Sequence, residues 1–253
     1  MQLLNYTQQG TGPHIILIHG LFGSLENLNM VAKELRESYT VTSVDVRNHG
    51  HSFHKNSMCY KELTQDIINV MQHLAIDKAH LLGHSMGGKI AMSFALAFPE
   101  KVNKLIVADI SPVEYPPHHT HIINGLKSLN LATANNRKDA DIQLSQYVKE
   151  VGVRQFLLRN LNTVDNALAF KCNVDFIGNC YEQIMVRLES EESFNGDTLF
   201  IKGAKSDYIL PAHRAHITQL FPQSKAKVIQ DAGHWLHAEK TSLFNKIVQN
   251  FLT

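Results

Sequence analysis

Apolar positions along this chain fall into two alternating kinds of run. Short, nearly continuous aliphatic segments recur at His14–His19, Thr40–Val44, His80–Leu82, Lys104–Ala108, Thr198–Ile201 and Ala226–Ile229. Runs without polar alternation suit strands covered on both faces, as in a parallel sheet. Between them, Leu28–Glu37, Tyr60–Leu74, Lys89–Phe98 and finally Ser242–Phe251 repeat their apolar residues at helical spacing. Strands alternating with helices predict an α/β protein with a doubly wound, mostly parallel sheet. The rhythm stops between Val113 and Asn195. No strand pattern stands out there, whereas Thr120–Ser128, Arg137–Val151, Val153–Asn160 and Ile177–Arg187 read as helices. Pro112, Pro116 and Pro117 mark the entry to this stretch and Asn195-Gly196 the exit. The expectation is a core built from residues 1–112 and 196–253 with a helical lid, residues 113–195, inserted into it. Such a lid can sit over the carboxyl ends of the strands, where open α/β sheets hold ligands.

Composition narrows the function classes. The chain has 253 residues, enough for one large domain with an insertion. A formal net charge of +1 gives no electrostatic footprint for nucleic acid or for an anionic membrane surface. No apolar run approaches the ~18 residues of a membrane span, and Met1–Tyr6 lacks the basic-then-apolar order of a signal peptide. Cys59, Cys172 and Cys180 are odd in number and form no CxxC pair, which fits a reducing, cytoplasmic setting.

The candidate chemistry centres on Gly83-His84-Ser85-Met86-Gly87, a G-x-S-x-G sequence between an apolar strand-like run and a helix-like run. A serine on a tight strand-to-helix turn is strained, exposed and next to a helix N-terminus, which marks Ser85 as a nucleophile. Its base is expected to be His234, which follows the last strand and a turn-permitting Gly233. The carboxylate that orients the imidazole has two candidates. Asp109 directly follows the run Lys104–Ala108; Asp207 follows the next run through Gly203-Ala204-Lys205-Ser206. His118, His119 and His121 cluster, but no H-E-x-x-H or cysteine partner supports a metal, and a polar lid entrance explains them better. The glycines around Ser85 lack a Walker or G-x-G-x-x-G pattern, so no phosphate cofactor is expected.

These motifs together resemble the α/β-hydrolase superfamily over essentially the whole chain. His19-Gly20 matches its oxyanion loop, Asp45-Val46-Arg47-Asn48-His49-Gly50-His51-Ser52 its D-x-R-x-H-G-x-S loop, Gly83–Gly88 its nucleophile elbow, and Gly233-His234 its histidine loop. The order Ser, Asp, His is the family's, and the Asn48 variant resembles small bacterial serine esterases. One departure matters. Most relatives carry the acid in the slot that Ser206 fills here, so Asp207 comes one position late. A minority place it where Asp109 stands. The resemblance therefore favours Asp109, keeps Asp207 as the alternative, and offers Ser206 as a fourth member bonded to the carboxylate or the imidazole. It also implies backbone N–H groups of Leu21 and Met86 as the oxyanion hole, with Leu21 and Phe22 beside the acyl group, narrowing it for short to medium chains.

The resulting expectation is a serine hydrolase that cleaves small carboxylic esters or thioesters without a cofactor. The same fold also hosts lyases, C–C hydrolases and cofactor-free peroxidases, and it can serve as a ligand-binding receptor, although such modules often lack a triad member.

Overall fold

The computed structural model describes residues 2–165 and 167–253. In chain order its first half runs β1 (Tyr6–Gln9), β2 (His14–Ile18), α1 (Asn29–Leu35), β3 (Thr40–Val44), α2 (Tyr60–His73), β4 (Ala79–His84), α3 (Met86–Ala97) and β5 (Val102–Ala108). There follow α4 (Thr120–Lys127), α5 (Arg137–Leu144), α6 (Val151–Leu157), the short strands β6 (Leu161–Val164) and β7 (Ala167–Phe170), α7 (Val174–Asn179) and α8 (Tyr181–Met185). The chain then returns through β8 (Thr198–Gly203), α9 (Arg214–Leu220), β9 (Ser224–Ile229), α10 (Leu236–Glu239) and α11 (Thr241–Leu252).

Seven strands make one sheet in the order β1-β3-β2-β4-β5-β8-β9. Every pairing is parallel except that of the edge strand β1 with β3. Side chains two apart share a face, and each face is covered. Ile16, Ile18, Leu81, Leu105 and Val107 pack towards α2 and α3. Ile15, Leu17, Leu82, Ile106 and Ile201 pack towards α1 and α11. Burial on both faces explains why these strands read as unbroken apolar runs. It also fixes the register, because a slip by one residue would exchange the two faces.

The structure departs from the sequence expectation in four places. The strand β1 is Tyr-Thr-Gln-Gln at a partly exposed edge, so it carries no apolar run. Between Val113 and Asn195, where no strand was expected, β6 and β7 pair with each other as an antiparallel hairpin outside the main sheet. Their side chains are largely exposed or half-buried, which removes the pattern by which strands are read. The helix expected over Arg137–Val151 ends at Leu144, and a new one begins at Val151; the one expected over Ile177–Arg187 breaks at Cys180. Finally, α3 begins at Met86 and not Lys89, its first turn hidden by Gly87 and Gly88. No helix among the described residues is long and apolar enough to cross a membrane.

Candidate active site

Five parallel strands, β2, β4, β5, β8 and β9, end at one edge of the sheet, and each delivers a piece of the site. Ser85 follows β4 with φ +54° and ψ −122°, a backbone conformation that side-chain-bearing residues rarely adopt. Phe22, Asp109 and Asp231 also have positive φ (58°, 53° and 59°). Each such residue costs on the order of 1–3 kcal/mol and persists only where its surroundings hold it. The elbow is packed too tightly for a side chain at Gly83, where a Cβ would lie 2.1 Å from the Gly87 carbonyl oxygen. The loop after β2 also comes close to the elbow: a Cβ on Gly20 would lie 3.1 Å from the Ser85 Cβ.

Ser85 Oγ lies 3.0 Å from His234 Nε2, and His234 Nδ1 lies 2.8 Å from Asp109 Oδ2. Asp109 is fully buried at the end of β5. Its Oδ1 accepts the Gly203 N–H at 2.9 Å, and its Oδ2 also accepts the Ser206 hydroxyl. The carboxylate thus has three hydrogen-bond partners, the Gly203 N–H, the Ser206 hydroxyl and the His234 ring. With Nδ1–H committed to Asp109, Nε2 is left to accept the serine proton. Ser206 is therefore brought to the Asp109 carboxylate and not to the imidazole. Asp207, the alternative acid, is exposed and makes no hydrogen bond to His234 among the described residues.

His234 is held from both sides. The Tyr208 ring stacks on it, with centroids 4.1 Å apart and planes at 24°. His84 Nε2–H donates to the His234 carbonyl at 2.8 Å. Burial lowers His84 well below the ordinary histidine value and lowers neighbouring His237 to about 4, so both support the imidazole as neutral rings. Neither was singled out from sequence, because fifteen histidines carry no mark that separates packed rings from exposed ones.

The N–H groups of Leu21 and Met86 have no hydrogen-bond partner among the described residues, as an anion site requires. The loop bearing Leu21 is pinned by two buried histidines. Phe22 N–H donates to His49 Nε2 and Val46 N–H donates to His19 Nε2, both at 3.0 Å. Accepting there forces each ring to carry its proton on Nδ1, from which His49 donates to the Arg47 carbonyl and His19 to the Gly20 carbonyl. Burial lowers His49 to about 3 and lowers His19 as well. Arg47 closes the far side through ion pairs to Asp66 and Glu62.

Above Ser85 lies a cavity of about 240 Å³, lined among others by Leu21, Phe22, Val153, Phe156 and Trp235. A smaller cavity of about 20 Å³ also reaches Ser85 and shares Leu21, His119 and Tyr208 with the larger one. Phe22, expected beside the acyl group, lines the larger cavity and not the smaller one. His119 lines both and is fixed by Tyr181, whose hydroxyl lies 2.8 Å from its Nδ1. The only sequence signal for it was the His118–His121 cluster. Among the described residues no three His, Cys, Asp or Glu side chains gather as a metal site.

Comparison with known proteins places this geometry in context. The family described as alpha/beta hydrolase fold matches residues 13–241. The chain is 40% identical over 250 residues to the sn-1-specific diacylglycerol lipase ABHD11 of Mus musculus, covering 96% of this chain and 81% of that protein. It is also 40% identical over 256 residues to a putative esterase/lipase of Haemophilus influenzae, covering 99% and 88%. Among solved structures, a marine microorganism esterase superposes with a TM-score of 0.96 at 36% identity, covering 99% of this chain and all of that one.

Proposed function

The chain belongs to the α/β-hydrolase family and is a hydrolase, and from that premise we propose that it cleaves carboxylic esters through an acyl-enzyme on Ser85. The observation that carries this reading is the unbroken line Ser85–His234–Asp109, with contacts of 3.0 and 2.8 Å. Ser85 Oγ attacks the acyl carbonyl as His234 Nε2 takes its proton. The negative charge that develops on the carbonyl oxygen is met by the N–H groups of Met86 and Leu21, each such donor contributing about 3–4 kcal/mol to the transition state. His234 then returns the proton to the leaving oxygen, and water activated by the same nitrogen releases the acid. Asp109 holds the imidazole in the productive tautomer, and Ser206 holds Asp109. Thioesters offer the same acyl carbonyl and are included as a second substrate class. Residues 113–195 act as the lid that closes the larger cavity, since Val153, Phe156 and Leu157 supply its upper wall. The three cysteines are unpaired, two of them buried, which supports a reducing compartment.

The reading is tested by turnover of p-nitrophenyl acetate and butyrate by the wild type and by Ser85→Ala. We expect hydrolysis by the wild type and a loss of at least about 10³-fold in kcat for the variant, in the range found when a nucleophile is removed. Undiminished turnover by Ser85→Ala rejects it.

A further inference from the structure

Resting on the ester-hydrolase reading, we infer that Lys89 sets the acyl-chain length by forming the closed end of the small cavity beside Ser85. The two cavities that meet at Ser85 are not equivalent. His234, which hands a proton to the leaving oxygen, lines the larger cavity and not the smaller. The leaving alcohol therefore belongs in the larger cavity and the acyl chain in the smaller, on the far side of the reacting carbon. The small cavity is walled by Leu21, Met86, Ile110, Tyr115 and Met185, and Lys89 stands among them one helical turn beyond Met86. Its volume of about 20 Å³ accommodates about one water-sized group, enough for the methyl of an acetyl group.

Lys89 is a stop that an acyl chain cannot easily displace. The side chain is 1% exposed, the largest fully buried one in the molecule's described residues. Its ammonium donates to the Val186 carbonyl at 2.6 Å and to the Met185 carbonyl at 3.3 Å, closing the end of α8. It also lies 5.0 Å from the centre of the Tyr115 ring and 5.8 Å from that of Tyr60. A longer chain would have to press its methyl end against this amine or pull it from its two carbonyl acceptors, and a buried polar group stripped of its hydrogen bonds is unfavourable. Burial lowers the amine to about 7.

The test is a chain-length profile of kcat/KM for p-nitrophenyl acetate, butyrate, hexanoate and octanoate. The wild type should peak at acetate. Lys89→Ala should raise the hexanoate-to-acetate ratio at least tenfold, a step within what one or two methylenes in a pocket are worth. Lys89→Met, which keeps the length and removes the charge, should raise the butyrate-to-acetate ratio at least threefold. A lysine that only held α8 would lower all four substrates in proportion, so unchanged ratios in the variants overturn the inference. A wild type that turns over hexanoate as well as acetate overturns it even if neither variant folds. Turnover with unaltered ratios rejects the length stop alone, whereas no turnover at any length rejects it together with the ester-hydrolase reading.

Discussion

At the residue scale Asp109 is proposed over Asp207 as the orienting acid because of where two turns point. Asp109 leaves β5 with φ +53°, which swings its carboxylate inward to the Gly203 N–H, Ser206 and His234. Asp207 sits one position past the slot that Ser206 fills and points into solvent. Asp109→Asn preserves size but allows the imidazole its unproductive tautomer. We expect a loss on the order of 10²–10⁴ in kcat with KM little changed, against less than about tenfold for Asp207→Asn. Steady-state kinetics on one ester settles the order; the reverse order makes Asp207 the acid. Ser206→Ala removes one donor from a buried carboxylate that keeps two others. Its expected cost is about tenfold in kcat, the scale of one hydrogen bond to a charged group, and a loss equal to that of Asp109→Asn would show that Ser206 does more than hold the acid.

At the element scale the decisive unit is the β4–α3 elbow, and here sequence and structure meet most closely. Gly83→Ala would place a Cβ 2.1 Å from a backbone oxygen that cannot move without shifting α3. We expect a destabilisation above about 2 kcal/mol, read as a fall in Tm, together with loss of ester turnover; a variant of wild-type Tm would mean the turn is looser than the geometry implies. The buried strands were legible because two covered faces leave an unbroken apolar run, and Ser85, His234 and Asp109, which the structure brings within hydrogen-bonding distance in a line, drew attention because each stands just past such a run. The elements that escaped lack that signature. Tyr6–Gln9 is a polar edge, and β6 and β7 pair only with each other. Tyr208 escaped for another reason: its role comes from stacking on a residue 26 positions away, and nothing in local spacing reports such a contact. Lys89 reads in sequence as one charged residue in an apolar helix, and only the fold reveals which carbonyls satisfy it.

At the scale of the whole molecule the histidines set the response to acid. Burial lowers His19, His49, His80, His84, His119 and His237 below their ordinary value, His49 to about 3 and His80, His119 and His237 to about 4. These rings stay neutral in the fold while their unfolded counterparts take up protons below about pH 6.5. The unfolded chain therefore binds more protons as pH falls, and stability declines with it, by about 1.4 kcal/mol per pH unit for each ring that stays neutral. Well above pH 6.5 both states hold these rings neutral and their contribution levels off. We expect Tm to fall steeply from pH 6.5 towards 4. A Tm that rises on acidification across that window would mean that the buried rings are charged in the fold.

The account as a whole depends on Ser85 being the group that forms the acyl-enzyme. The most direct measurement is covalent labelling of the intact protein by a fluorophosphonate, followed by peptide mapping of the adduct. One adduct per chain is expected, on the peptide containing Gly83–Gly88, with ester turnover lost in step with labelling and no adduct on Ser85→Ala. An adduct on any other residue, or turnover that survives complete modification of Ser85, contradicts the mechanism.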